Sequence, residues 1–246
     1  MTQFMTGPRG QQLAYAKTDG HGPTVVFLGG FMSDMTGSKA IFLEDWAKAQ
    51  GQAYLRFDYA AHGQSEGVFT EHSVAEWAED AAAVIAAQTS GDLIVIGSSM
   101  GGWISLHLSR AMGDRLRGLI LIAAAPDFTE DSMLASFSEA QKQEIAEDGV
   151  TYIPSDYGDP YPISQHLLND SRRAFVMRAP LTFRCPVHMV QGTLDNAVSR
   201  ETALRLLDHI QADDLHLTFT KGADHSYSTP LCLTIIQQKL ERILEN

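Results

Sequence analysis

Short apolar runs rich in β-branched residues recur along the chain at Thr24 to Leu28, Ala53 to Phe57, Leu93 to Ile96, Gly118 to Ile122, Val187 to Val190 and Leu215 to Thr220. Each is long enough for a buried strand and too short for a helix. Between them the apolar residues take helical spacing, at Ser38 to Ala49, Ser73 to Ala87, Met100 to Met112, Ser199 to Ile210 and Leu231 to Leu244. Strands separated in this way by helices are joined by crossovers rather than hairpins. The pattern therefore predicts an α/β chain, with a mainly parallel central sheet and helices on both faces. Gln12 to Lys17 alternates apolar and polar residues ahead of the first buried strand and reads as an antiparallel edge strand.

The rhythm breaks between Asp127 and Arg184, which offers no buried strand but two amphipathic helical stretches around a segment rich in Tyr and Pro. This predicts a core made of residues 1–126 and 185–246 with a helical cap inserted at 127–184. Met133, Leu134 and Phe137 share one helical face; Leu167, Leu168, Phe175 and Val176 mark the second. These stripes either pack on the main core or line a pocket. Tyr152, Tyr157 and Tyr161, beside Pro154, Pro160 and Pro162, are candidates for an aromatic rim.

One turn carries chemistry. The run Leu93 to Ile96 leads into Gly97-Ser98-Ser99-Met100-Gly101-Gly102, after which helical spacing resumes at Trp103. G-x-S-x-G between strand and helix is a nucleophile elbow, which presents its central serine on a strained turn at the carboxyl end of the sheet. Ser99 is the expected nucleophile, with Ser98 serving the turn. A dinucleotide or phosphate loop would need a second glycine where Ser99 stands, or a lysine after the glycines.

A serine hydroxyl needs an adjacent base, and the base needs an acid to fix its tautomer. With the chain order Ser, acid, His, the base falls after the last strand, at His225 in Lys221-Gly-Ala-Asp-His-Ser226. His209 and His216 sit on the preceding helix and strand in surface or packing positions, and His62 reads as a residue that shapes its loop. Asp195, in the loop after the strand Val187 to Val190, is the expected acid, with Asp127 as the alternative; Asp224, next to His225, reads as a turn residue. The oxyanion of a tetrahedral intermediate would be met by the backbone amides of Met100 and Phe31, the latter in Leu28-Gly29-Gly30-Phe31.

Composition narrows the partners. The 246 residues carry 18 basic and 30 acidic side chains, a formal net charge of −12, which disfavours nucleic acid as the main partner. The longest wholly apolar run, Leu119 to Ala125, is far short of the roughly 20 residues of a membrane-spanning helix. The start Met1 to Pro8 has neither a signal-peptide nor a transit-peptide pattern, so a cytoplasmic location is expected. Cys185 and Cys232 are too few for a disulfide framework or a thiolate metal site and read as buried thiols.

With the elbow, acid, histidine and glycine loop in order, the chain resembles the α/β-hydrolase superfamily across nearly its full length. The segments Leu28-Gly-Gly-Phe-Met-Ser-Asp-Met-Thr-Gly-Ser-Lys-Ala40, Arg56-Phe-Asp-Tyr59, His62-Gly-Gln-Ser65 and Gly97-Ser-Ser-Met-Gly-Gly-Trp103 are similar to the mitochondrial acyl-protein thioesterase and acyl-glucuronide esterase group and its bacterial relatives. That resemblance implies a Ser, Asp, His triad falling on Ser99, Asp195 and His225. The expected activity is two-step hydrolysis of a carboxylic ester or acyl thioester, on a small molecule or an S-acylated protein, with no cofactor and no metal. Cleavage of carbon–carbon bonds and cofactor-free perhydrolysis use the same triad and stay open. A non-catalytic receptor or scaffold is the reading from a different class.

Overall fold

The computed structural model describes residues 1–154 and 160–245. In chain order the first half runs β1 (Gln3–Thr6), β2 (Gln12–Thr18), β3 (His21–Leu28), α1 (Ser38–Gln50), β4 (Gln52–Phe57), α2 (Val74–Gln88), β5 (Leu93–Ser98), α3 (Met100–Met112) and β6 (Leu116–Ile122). The inserted region holds a π-helical turn at Thr129–Leu134, α4 (Glu139–Asp148), β7 (Val150–Ile153), β8 (Tyr161–Ser164), α5 (Gln165–Asp170) and β9 (Leu181–Thr182). The chain then returns through β10 (Val187–Gly192), α6 (Arg200–His209), β11 (Ile210–Gln211), β12 (Leu215–Thr220) and α7 (Pro230–Leu244).

The main sheet has eight strands in the order β1-β2-β4-β3-β5-β6-β10-β12. From β4 to β12 every neighbouring pair is parallel; β2 is antiparallel to β4, and β1 to β2. The apolar runs found in the sequence are these strands. Because side chains alternate across a strand, each run feeds two cores. Val26, Leu28, Val95 and Leu119 pack with Trp77 of α2 and Trp103 of α3 on one face, whereas Val25, Phe27, Ile94 and Ile120 pack with Leu43 of α1 and Ile236 of α7 on the other.

The two edges differ from expectation. β2 is antiparallel but not an edge, because β1 pairs outside it. At the other side β12 is the edge and is largely half-exposed, not buried. Its alternation of Leu and Phe with His and Thr fits a strand covered mainly on one face.

The inserted region is less helical than its spacing suggests. Met133 and Leu134 lie in the π-helical turn, while α4 is a mostly polar helix opened by a capping box between Ser138 and Gln141. The Tyr/Pro segment holds an antiparallel hairpin of β7 and β8. Each strand is only four residues long and prolines flank or interrupt it, so the periodicity is too brief to recognise. Phe137, Ile163, Leu167 and Val176 join the core of α2 and α3, so the stripes pack on the main core. Tyr157 lies outside the described residues.

Candidate active site

The strained turn is present. Ser99 has φ 54° and ψ −115°, between the last residue of β5 and the first of α3. The flanking glycines permit the close approach of strand and helix. A Cβ on Gly101 would lie 2.1 Å from the Leu28 carbonyl oxygen, and one on Gly97 would lie 2.3 Å from that of Gly101. Ser99 donates its amide to the Ile122 carbonyl at 2.9 Å, which fixes the turn to β6.

Asp195, His225 and Phe31 also leave the carboxyl ends of their strands, so the sheet gathers them with Ser99. His225 Nε2 is 3.0 Å from Ser99 Oγ, and its Nδ1 is 2.9 Å from Asp195 Oδ2. The Asp195 side chain is 1% exposed and amply solvated by the protein: Oδ1 accepts the amides of Ala197 and Val198 at 2.9 and 2.8 Å, and Oδ2 accepts from Gln191 Nε2 at 2.7 Å. Gln191, buried at the end of β10, carries no motif in the sequence; only its position one turn before Asp195 marks it.

Asp127, the alternative acid, has another task. Its buried carboxylate accepts the amides of Val176 and Met177, both at 2.9 Å, and thereby pins the end of the inserted region. Burial pushes its pKa up, while those two amides oppose the shift. Asp224 accepts the amide of Tyr227 at 3.1 Å, as a turn residue does.

The loop after β3 is held on several sides. Gly30 donates its amide to Ser33 Oγ at 2.9 Å, and Met32 donates its amide to His62 Nε2 at 3.3 Å. Among the described residues the Phe31 amide between them meets no acceptor. The Met100 amide, at the start of α3, likewise meets no acceptor among the described residues. The sequence motif Arg56 to Tyr59 explains itself here. Arg56 donates to the Met35 carbonyl, Asp58 accepts the Met35 amide, and Tyr59 donates its hydroxyl to the Gly29 carbonyl. The Phe31 ring is gripped edge-on by Phe69, Phe128, Tyr161 and Trp77, with centroids 5.0 to 6.0 Å away. That clamp draws on distant parts of the chain and leaves no local signature.

His62 shapes this loop through a defined protonation state. It is buried, and burial pushes its pKa down to about 4, so the ring is neutral at ordinary pH. With Nδ1 at 3.1 Å from the Ala60 carbonyl, the proton belongs on Nδ1, leaving Nε2 to accept from Met32. Lys39 of α1 donates to the Ser226 carbonyl at 2.5 Å, beside His225; burial lowers its pKa to about 8.

Ser99 and His225 open into a cavity of about 440 Å³, bordered by Gly30, Phe31, Lys39 and, at the start of β8, Tyr161. Tyr152 is exposed and does not border it. A wider groove of about 1110 Å³ lies along Arg110, Arg117, Phe183 and Leu244 and contains none of these residues.

A parallel sheet that delivers a strained serine to the start of a helix, with a histidine and an aspartate arriving from later strands, is the architecture of a hydrolase. The chain belongs to the alpha/beta hydrolase family, which matches residues 25–231. It is similar to human "Palmitoyl-protein thioesterase ABHD10, mitochondrial", with 30% identity over 227 residues covering 90% of this chain and 73% of that protein. Among solved structures, a protein from Agrobacterium vitis S4 described as "Putative hydrolase" superposes with a TM-score of 0.95 and 34% identity, covering 99% of this chain and 98% of that one. Mouse alpha/beta hydrolase domain-containing protein 10 gives 0.91 and 27%, covering 100% and 98%. Among the described residues no helix is long and apolar enough to cross a membrane.

Proposed function

We propose that the protein is a serine esterase or thioesterase acting through an acyl-enzyme. Ser99 Oγ attacks the carbonyl carbon of an ester or acyl thioester while His225 Nε2 takes its proton. Asp195 holds His225 in the tautomer with Nδ1 protonated and stabilises the imidazolium that forms. The amides of Phe31 and Met100 receive the negative oxygen of the tetrahedral intermediate. His225 then protonates the departing alcohol or thiol, and a water activated by the same histidine releases the acid. The bonding path from Ser99 through His225 to Asp195, at 3.0 and 2.9 Å, carries this reading.

Residues 127–184 serve as the cap in this reading, with Tyr161 bordering the acyl or leaving-group side of the cavity. The thioesterase relatives support acyl thioesters, on small molecules or on S-acylated proteins, as substrates. A cytoplasmic location remains part of the proposal, set beside relatives whose names include "mitochondrial".

The test compares p-nitrophenyl esters with acyl thioesters from short to long chains, together with fluorophosphonate labelling of wild type and Ser99→Ala. The expected result is labelling at Ser99 and turnover that fails in the variant. A Ser99→Ala protein hydrolysing at the wild-type rate would overturn the mechanism. Turnover confined to carbon–carbon substrates or peracid formation would replace the ester assignment while keeping the triad.

A further inference from the structure

The other end of the sheet carries a second cluster of side chains, which the reaction does not use. His188 and His216 are the second residues of β10 and β12 and face each other in register across that parallel pair. Their rings lie 5.4 Å apart on the α7 side of the sheet. Asp214 lies in the bend just before β12, two residues ahead of His216, and its carboxylate approaches both rings. His216 Nε2 is 2.8 Å and His188 Nε2 3.5 Å from the same oxygen, Asp214 Oδ1. The three donor atoms all lie within 4.8 Å of one another.

His188 makes this more than a surface cluster. It has no exposed area, and neither of its ring nitrogens has a hydrogen-bond partner among the described residues. A fully buried imidazole aimed at a carboxylate it does not properly bond is a group waiting for an electrophile. Tetrahedral zinc with bonds of about 2.0–2.2 Å places its donors roughly 3.3–3.5 Å apart, and the two separations from Asp214 Oδ1 bracket that spacing. Two imidazoles and a carboxylate suit Zn²⁺ and its neighbours better than Ca²⁺ or Mg²⁺.

We propose that His188, Asp214 and His216 form a structural site for a divalent transition-metal ion, Zn²⁺ or a metal of similar chemistry, that ties the edge strand β12 to β10. Water completes the coordination. The site competes with positive charge on α7: Arg242 Nη2 lies 3.8 Å from Asp214 Oδ1 and 3.4 Å from His216 Nε2, and Lys239 also acts on His188. The metal takes over as the countercharge of Asp214, and the half-exposed Arg242 side chain turns toward solvent. The inference stands apart from the esterase reading, because the cluster is at the amino ends of the strands and the serine at the carboxyl end.

Chelator-treated full-length protein titrated with Zn²⁺ by calorimetry, and with Co²⁺ by absorption, tests it. Wild type is expected to bind a single equivalent, show the intense visible bands of four-coordinate Co²⁺, and melt at a higher temperature with Zn²⁺. His216→Ala removes an exposed ligand without disturbing the core and is expected to weaken binding by roughly 100-fold or more, since even partners outside the ligand set are worth 10–100-fold. Arg242→Gln is expected to tighten it, and His166→Ala, in the Glu76 and Asp170 cluster, to leave it unchanged. Equal Zn²⁺ binding by wild type and His216→Ala, loss of binding in His166→Ala alone, or only the faint spectrum of six-coordinate Co²⁺ would each overturn the site.

Discussion

Gln191 Nε2 donates to Asp195 Oδ2 at 2.7 Å, the same carboxylate oxygen that faces His225 Nδ1. Gln191 also donates to the Val198 carbonyl at 3.0 Å, so the amide bridges the two ends of the Asp195 loop. Removing it leaves Asp195 with its backbone donors but without a side-chain guide. Gln191→Leu is expected to lower kcat by roughly ten- to hundredfold, the effect of one lost hydrogen bond at a buried charge, with KM little changed. Asp195→Asn is expected to cost about four orders of magnitude through the wrong histidine tautomer. Steady-state kinetics on one short-chain ester separates the two. Equal losses would show that Gln191 is needed for the fold of the loop rather than for its alignment.

Ser99 trades stability for presentation of its hydroxyl. A non-glycine residue at φ 54° and ψ −115° costs on the order of 1–3 kcal/mol, part of which glycine recovers despite its greater freedom in the unfolded chain. Ser99→Gly is therefore expected to abolish turnover and to raise stability by about 1 kcal/mol. For a chain of this size that is a rise in Tm of about 2–4 °C. Thermal unfolding beside an activity assay reads both, and a destabilised variant would show that the turn is not strained.

His62 predicts a pH dependence of folding. Its pKa is about 4 in the folded protein against 6.5 as the ordinary value. Between those limits the unfolded chain binds the proton and the folded one does not, so acid favours unfolding. The contribution of His62 is complete above pH 6.5 and falls away as pH drops toward 4, by up to about 3 kcal/mol. His62→Gln keeps an acceptor for the Met32 amide and removes the titration. Its denaturant midpoint should vary less than that of wild type across this range. Parallel pH profiles for the two proteins would assign the acid sensitivity to other groups.

The parts of this molecule that were legible in the sequence are those whose cause is local. Val25 to Leu28 or Ile94 to Ile96 can only be strands buried on both faces, and Gly97 and Gly101 announce the close approach around Ser99. Strand ends then bring Asp195 and His225 within reach of a choice by chain order. What is not legible there depends on partners far away in the chain. Whether β2 or β1 is the edge is decided by a pairing between short segments. The Phe31 clamp needs Phe69, Trp77, Phe128 and Tyr161 at once, and Gln191 looks like any polar residue at the end of a strand. Lys39 stood in a segment singled out by resemblance, but its bond to the Ser226 carbonyl is visible only in three dimensions.

Lys39 should separate stability from activity. Its pKa, pushed down to about 8 from 10.5 by burial, means that the folded protein holds the proton less tightly than the unfolded chain. The protonated ammonium thus works against folding at pH 7, and this penalty eases as pH rises from 8 toward 10.5. Lys39→Met fills the same space without the charge and is expected to unfold at a higher temperature at pH 7. It also loses the bond to Ser226 beside His225, so kcat should fall by roughly tenfold, the value of one charged hydrogen bond. A variant both less stable and fully active would reverse the assignment.

Asp127 tests whether the inserted region is a cap whose placement governs substrate choice. Its carboxylate takes the amides of Val176 and Met177 at a buried position, and Arg178 Nη1 approaches at 3.3 Å. Asp127→Ala strands both amides and is expected to lower stability by about 2–4 kcal/mol. Asp127→Asn retains one acceptor and tolerates the left-handed φ of 53°, so its loss should be smaller. Neither variant touches the bond between Asp195 and His225. Turnover of a short ester should therefore persist in Asp127→Asn while KM for long-chain esters and thioesters shifts. If Asp127→Asn instead lost kcat on short esters as severely as Asp195→Asn, Asp127 would be the acid partner of His225.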